Sequence, residues 1–142
     1  MNIGLGSEKK EIEMDICTSY GDASSLLGKT KIVENMGYLS SKLNVKIEKL
    51  DNYLSNHKFD KIHFIKMDVE GYELEVLKGA VNTLKNVENI YIEICHLYHP
   101  RLSRHVINVF DFLDKNGFCY IGCYGDYFFT KNEKLIDHFF NE

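Results

Sequence analysis

The stretch FDKIHFIKMDVEGYELEVLKGAVNTLKN, residues 59–86, changes its hydrophobic period partway along. From Lys61 to Met67 it is a β-rich run with large side chains on both faces, which predicts an inner strand covered on two sides. The run stops at Asp68. From Gly71 to Asn86, Leu74, Leu77, Val81 and Leu84 recur at steps of three and four, with Glu75, Lys78, Asn82 and Lys85 on other faces. That spacing predicts an amphipathic helix. Asp68 and Glu70 stand where a helix N-terminus favours negative charge.

Patterned segments continue on both sides of this unit. Asn89 to Cys95 sets Ile90, Ile92 and Ile94 against Tyr91, Glu93 and Cys95, which predicts a second strand. Val106, Val109, Phe110 and Leu113 form the stripe of a second helix, stopped at Asn116-Gly117. Phe118 to Thr130 holds two aromatic-rich runs split at Gly125-Asp126, the composition of an antiparallel hairpin. Upstream, Val45-Lys46-Ile47 reads as a short strand entering a small helix with Leu50, Tyr53 and Leu54, for which Asp51 or Asn52 is a cap. Val33 to Leu43 is either a short helix or a loop. Met1 to Ile16 alternates weakly around a Gly4-Leu5-Gly6 turn, and Thr18 to Ser25 is a small, polar loop. The order strand, helix, strand, helix, hairpin predicts an α/β sheet whose parallel strands are joined by helical crossovers, with a single domain over 1–142.

A length of 142 residues with 44% hydrophobic content suffices for one core. The net charge of −4 comes from scattered acids and bases, which offers no footprint for nucleic acid or an anionic membrane and favours a small or neutral partner. No apolar run approaches the roughly 20 residues that cross a bilayer. Cys17, Cys95, Cys119 and Cys123 show no CxxC spacing, and the N-terminus has no signal-peptide pattern, so reduced thiols in a cytoplasmic protein are expected.

Ligands of open α/β sheets bind beyond the carboxyl ends of the strands, which directs attention to the residues just after Met67 and just after Ile94. Asp68, Glu70 and Glu73 form a D-x-E-x-x-E cluster whose mutual repulsion requires a cation, donors or a helix dipole to offset it. The cluster either orients a substrate hydroxyl, holds a hard cation or supplies a general base, or else Asp68 caps the helix and Glu70 and Glu73 are solvated first-turn acids. Glu93, costly to bury unpaired, either faces the cleft or bonds to backbone groups. Cys95, His96 and His99 follow, but their spacing matches no zinc pattern and no metal site is assigned. His96 is either a substrate-facing acid or base or an ordinary loop histidine. Cys119 and Cys123 share a strand face but stand ~13 Å apart, too far to chelate one ion unless the strand bends. The aromatic run Tyr120, Tyr124, Tyr127, Phe128 and Phe129 is either a ligand-stacking surface or hairpin core.

Residues 59–86, followed by NIYIEI (89–94), closely resemble the most characteristic stretch of FkbM-type methyltransferases. VKIEKLDNYL (45–54), GLGSEKKEIEMDI (4–16) and ASSLL (23–27) resemble its earlier regions. The resemblance implies a class I, Rossmann-like methyltransferase sheet, and methyl transfer from S-adenosylmethionine to a hydroxyl of a sugar or secondary metabolite. It implies catalytic roles for Asp68, Glu70 and Glu93 and cofactor contacts at Asp68 and Gly71, to which the reading of the acidic cluster and of the imidazole adds substrate contacts at Glu73 and His96. Such sheets normally open with a strand feeding a Gly-rich turn at a helix N-terminus. Gly4-Leu5-Gly6 is instead read as a turn in the third-strand region, so the expectation is an N-terminally truncated sheet. The alternative to an enzyme is an inactive fragment or interaction module, self-associating through an exposed sheet edge beside Lys61 to Met67.

Overall fold

Strand β4 (Ile65–Met67) runs parallel to β5 (Asn89–Ile92), with Ile65 opposite Ile90 and Met67 opposite Ile92. Between them the chain crosses over through two short helices, α2 (Glu73–Lys78) and α3 (Val81–Leu84). The computed structural model describes residues 3–17, 40–57, 59–94, 100–124 and 126–141. Over these residues the chain is mixed α/β, with two small sheets and five helices.

The larger sheet has the order β4-β5-β7-β6, with β6 (Cys119–Tyr124) and β7 (Asp126–Thr130) forming the antiparallel hairpin expected from the aromatic runs. β7 also pairs antiparallel with β5. Helix α4 (Pro100–Lys115) covers the sheet with Val109 and Leu113, both fully buried, as its stripe requires. It ends in a Schellman motif. Gly117 takes φ 82°, its N–H donates to Asp114 O at 2.9 Å, and Phe118 N–H donates to Leu113 O at 3.0 Å. Ile90, Ile92 and Ile94 are all buried, which fills the core beneath α2 and α4. Phe110 joins this layer to the hairpin, its ring centroid 4.9 Å from Phe129 and 5.2 Å from Tyr120 and Tyr127. The aromatic run is thus largely hairpin packing. Beyond Thr130, where the sequence expectation ends, a further helix α5 (Glu133–Asn141) follows.

β4 departs from the expected inner strand. It is the outer strand of its sheet among the described residues. Ile62 reaches only an isolated parallel bridge to Val87. Met67 is buried, but Lys66 is exposed and Phe64 is 53% exposed, so only one face meets the core.

The smaller sheet has the order β1-β3-β2, with β1 (Gly4–Leu5), β2 (Lys10–Cys17) and β3 (Ser40–Glu48). The short strand expected at Val45 to Ile47 is longer because β2 pairs with its whole length, Lys10 opposite Ile47 through Cys17 opposite Ser40. Opposite charges face each other at Glu11 and Lys46, a favourable cross-strand pair. The Gly4-Leu5 segment is a strand, not a turn. Parallel pairing makes it one, Gly4 opposite Ile47 and Leu5 opposite Glu48, and glycine is required there because a Cβ on Gly4 would stand 2.6 Å from Ile47 Cδ1 and one on Gly6 would stand 2.7 Å from Ile47 Cγ2.

The single helix expected over Gly71 to Asn86 is interrupted at Gly79-Ala80. In a continuous helix Thr83 N–H would donate to Gly79 O. Instead Gly79 O accepts Asp51 N–H at 3.0 Å, and Thr83 N–H donates to Asp51 Oδ1 at 2.7 Å. Asp51 lies in helix α1 (Leu50–Tyr53) and so caps α3, not its own first turn. No helix among the described residues is long and apolar enough to cross a membrane.

Candidate functional site

Register brings the strand ends together. Met67 pairs with Ile92, and Ile92 pairs with Tyr127 of the antiparallel β7. Glu93 N–H then donates to Met67 O at 2.9 Å, extending the ladder by one residue. Asp68, Glu93 and Asp126 therefore share one rim of the sheet.

Lys66 lies on the same strand face as Asp68, two residues before it. Its Nζ donates to Asp126 Oδ2 at 3.0 Å and stands 3.9 Å from Glu93 Oε2 and 4.0 Å from Asp68 Oδ2. It also lies 5.3 Å from the centroid of the Tyr91 ring. The hydrogen bond to Asp126 raises the Lys66 ammonium above the ordinary lysine range, against the opposing effect of burial. Glu93 is held above the usual carboxylate range, first by the charge of Asp68, then by burial and the charge of Asp126, with Lys66 pulling the other way. A hydrogen bond to Asp68 acts in the same direction. The nearby negative charge of Asp68 thus makes Glu93 hold its proton more tightly than an isolated glutamate does. The rim is a carboxyl pair suited to accept a proton, beside an ammonium that limits the repulsion.

Past Asp68 the chain turns sharply. Glu70 takes φ 51° and Gly71 takes φ 94°. For a residue with a side chain the left-handed region costs on the order of 1 kcal/mol, and such strain persists only where its surroundings enforce it. Glu73 does so. Its side chain is fully buried, with Oε1 accepting Gly71 N–H at 2.7 Å and Oε2 accepting His105 Nε2–H at 2.5 Å. His105 comes from α4, so the turn after β4 is bonded to the helix that follows β5.

The sequence-predicted residues thus divide. Asp68 and Glu93 meet at the rim, and Glu70 and Gly71 form the adjoining turn. Glu73, expected at the substrate or as a solvated acid, is not solvated, because its side chain is fully buried with both oxygens engaged inside the fold. His96 lies outside the described residues, as do Cys95 and His99. Three participants were not anticipated. Asp126 reads in sequence as a turn residue, Lys66 as one residue of a strand, and His105 as a polar neighbour of an apolar stripe. The signal for His105 is its position four residues before Val109 on that stripe.

Among the described residues no group of three or more His, Cys, Asp or Glu side chains is arranged to hold a metal ion. An open cavity of about 410 Å³ lies beyond the amino end of β4, lined by residues including His57, Phe59, Asp60, Ile62 and Asn86. It contains none of the predicted site residues.

Residues 1–120 match the methyltransferase FkbM domain family. A hexuronic acid methyltransferase, AglP, from Haloferax volcanii is 43% identical over 44 residues, 31% of this chain and 18% of that relative's length. No solved structure matches the chain. Since the match spans both strand ends, the strained turn and α4, the chain belongs to the FkbM methyltransferase family.

Proposed function

We propose that the rim formed by Asp68 and Glu93 is the reaction centre of an S-adenosylmethionine-dependent O-methyltransferase acting on a hydroxyl of a sugar or related glycan. The observation that carries this reading is the meeting of Asp68 and Glu93 around the Lys66 ammonium, 4.0 and 3.9 Å from its Nζ, at the carboxyl ends of two adjacent parallel strands. The helical crossover between those strands supports a Rossmann-like sheet of class I methyltransferase type.

The donor set fits the cofactor. Three carboxylates against one ammonium leave the rim negative, which suits a sulfonium cation. Asp68 and the Gly71 backbone are the residues proposed to hold it, and S-adenosylmethionine would supply an electrophilic methyl group there. Asp68 is the central carboxylate, orienting the acceptor hydroxyl and taking its proton as the oxygen attacks. Glu93 stands beside it as a second acceptor, and Lys66 offsets the repulsion between the two carboxylates until the proton arrives. Glu70 borders the same space, and His96 is proposed as an acceptor-facing residue. Most of the acceleration comes from alignment of oxygen and methyl, with proton acceptance the smaller part. The acceptor class draws on the relative named as a hexuronic acid methyltransferase.

Isothermal titration of the chain with millimolar S-adenosylmethionine, followed by transfer of labelled methyl to a panel of uronic-acid and neutral glycans, tests the reading. Saturable heat and label on a glycan hydroxyl are expected. No heat and no thermal stabilisation would sink it for these 142 residues. Self-association along the outer strand β4 belongs to the same proposal, and a strict monomer at high concentration in analytical ultracentrifugation would remove that part.

A further inference from the structure

We infer that Glu73 and His105 are positioning residues, a buried brace that holds the Glu70–Gly71 turn in its left-handed form and couples it to α4. The inference rests on the methyltransferase reading for what the turn serves, but not for the brace itself. Consecutive left-handed residues, φ 51° and 94°, follow directly on the rim carboxylate Asp68 with only Val69 between. Nothing in the backbone of a glutamate favours that conformation. The buried carboxylate of Glu73 supplies the reason, since its Oε1 takes the Gly71 N–H at 2.7 Å.

A carboxylate with no solvent contact needs a second partner. His105 Nε2–H provides it at 2.5 Å, from a side chain only 16% exposed. The two bonds form one chain from the turn backbone to α4. A group that binds at the turn therefore meets a backbone and a neighbouring Glu70 whose placement depends on α4. Glu73 is thereby removed from contact with substrate and given a different task.

Replacing Glu73 leaves Gly71 N–H and His105 without their partner inside the core, so that variant can fail to fold. The decisive pair is His105→Leu and His105→Gln, because the glutamine amide presents an N–H near the position of Nε2. Two readouts are taken on the whole chain: the ¹H–¹⁵N resonance of Gly71, and the affinity for S-adenosylmethionine by titration. H105L should displace the Gly71 resonance while those of β5 stay in place, and should weaken binding about tenfold to a hundredfold. H105Q should restore both. An unmoved Gly71 resonance and wild-type affinity in folded H105L would overturn the brace. A resonance that moves in a chain that never binds S-adenosylmethionine supports the brace and sinks the methyltransferase reading.

Discussion

Asp51 Oδ1 accepts two hydrogen bonds from Thr83, from its backbone N–H and from its hydroxyl, both at 2.7 Å. The companion oxygen accepts Asn82 N–H at 2.9 Å. One carboxylate thus satisfies two of the orphan donors that open α3. Removing it by Asp51→Ala should cost about 2 kcal/mol, the upper end of measured cap losses, because the tie to α1 goes with it. Urea denaturation with an unchanged slope and a lower midpoint would show this.

The same contact predicts a pH dependence. Burial alone would push the Asp51 carboxyl up, but donation from Asn82 and Thr83 outweighs it and holds the group below its ordinary value. A depressed carboxyl contributes stability that is fully present above its unfolded pKa of about 3.9 and is lost as pH falls through the lower folded value. The gap between wild type and D51A should therefore close in acid. A gap that stays constant down to pH 2, on the order of two units below the unfolded pKa, would contradict the assignment.

Gly79 is required by space and not by conformation. Its φ of −81° suits any residue, yet a Cβ would stand 1.9 Å from Gly6 O and 2.9 Å from Gly6 C. Both are backbone atoms with little room to move. Gly79→Ala should gain up to ~1 kcal/mol in helix propensity and lose more than that in overpacking, for a net loss of about 2 kcal/mol. A stabilised G79A in thermal unfolding would show that the Gly6 backbone yields.

These contacts mark the limit of what the sequence discloses. Alternation in Asn89 to Ile94 is enough to bury Ile90, Ile92 and Ile94, and the α4 stripe is legible because its period is local. The break at Gly79 is not, since it is made by Asp51 and Gly6 across the fold. The extent of β3 is hidden in part: Leu43, Val45 and Ile47 alternate with Lys42, Asn44 and Lys46, but the Ser40-Ser41 end carries no pattern and is fixed only by pairing with Cys17 and Ile16 of β2. At the site, the rule for strand ends locates Asp68 and Glu93. Lys66 and Asp126 join them only through register, and Glu73 resembles any first-turn acid until His105 is seen beside it.

Thr130 is fully buried and donates from Oγ1 to Asn89 Oδ1 at 2.7 Å while accepting Asn132 N–H at 2.9 Å. Asn89 Nδ2 in turn donates to His63 O at 2.8 Å, so the network joins β7, β5 and the approach to β4. Thr130→Val keeps the shape and strands two partners. A loss of about 2 kcal/mol is expected in chemical denaturation. A neutral substitution would mean that water replaces the hydroxyl.

Under the proposed reaction, Asp68→Asn should lower methyl transfer by about a hundredfold or more, the usual contribution of a positioned proton acceptor. Affinity for S-adenosylmethionine should fall less. Wild-type turnover in D68N, measured with the same labelled acceptor, would move the reaction centre away from β4.

Glu93 gives this chemistry a pH signature. Its carboxyl is raised chiefly by the charge of Asp68, so the pair keeps a proton to higher pH than an isolated glutamate near 4.3 does. Transfer should therefore rise with pH along an acid limb displaced upward from that value, as the pair gives up its proton. Glu93→Gln should abolish the displacement. Stability runs the opposite way: a raised carboxyl contributes most below its unfolded pKa, and that contribution is lost as pH rises through the folded value. At neutral pH E93Q should consequently be as stable as wild type or slightly more so, within about 0.5 kcal/mol for a half-exposed group. An acid limb of kcat/KM that is identical in wild type and E93Q would show that Glu93 does not share the reacting proton, whatever the variant does to folding.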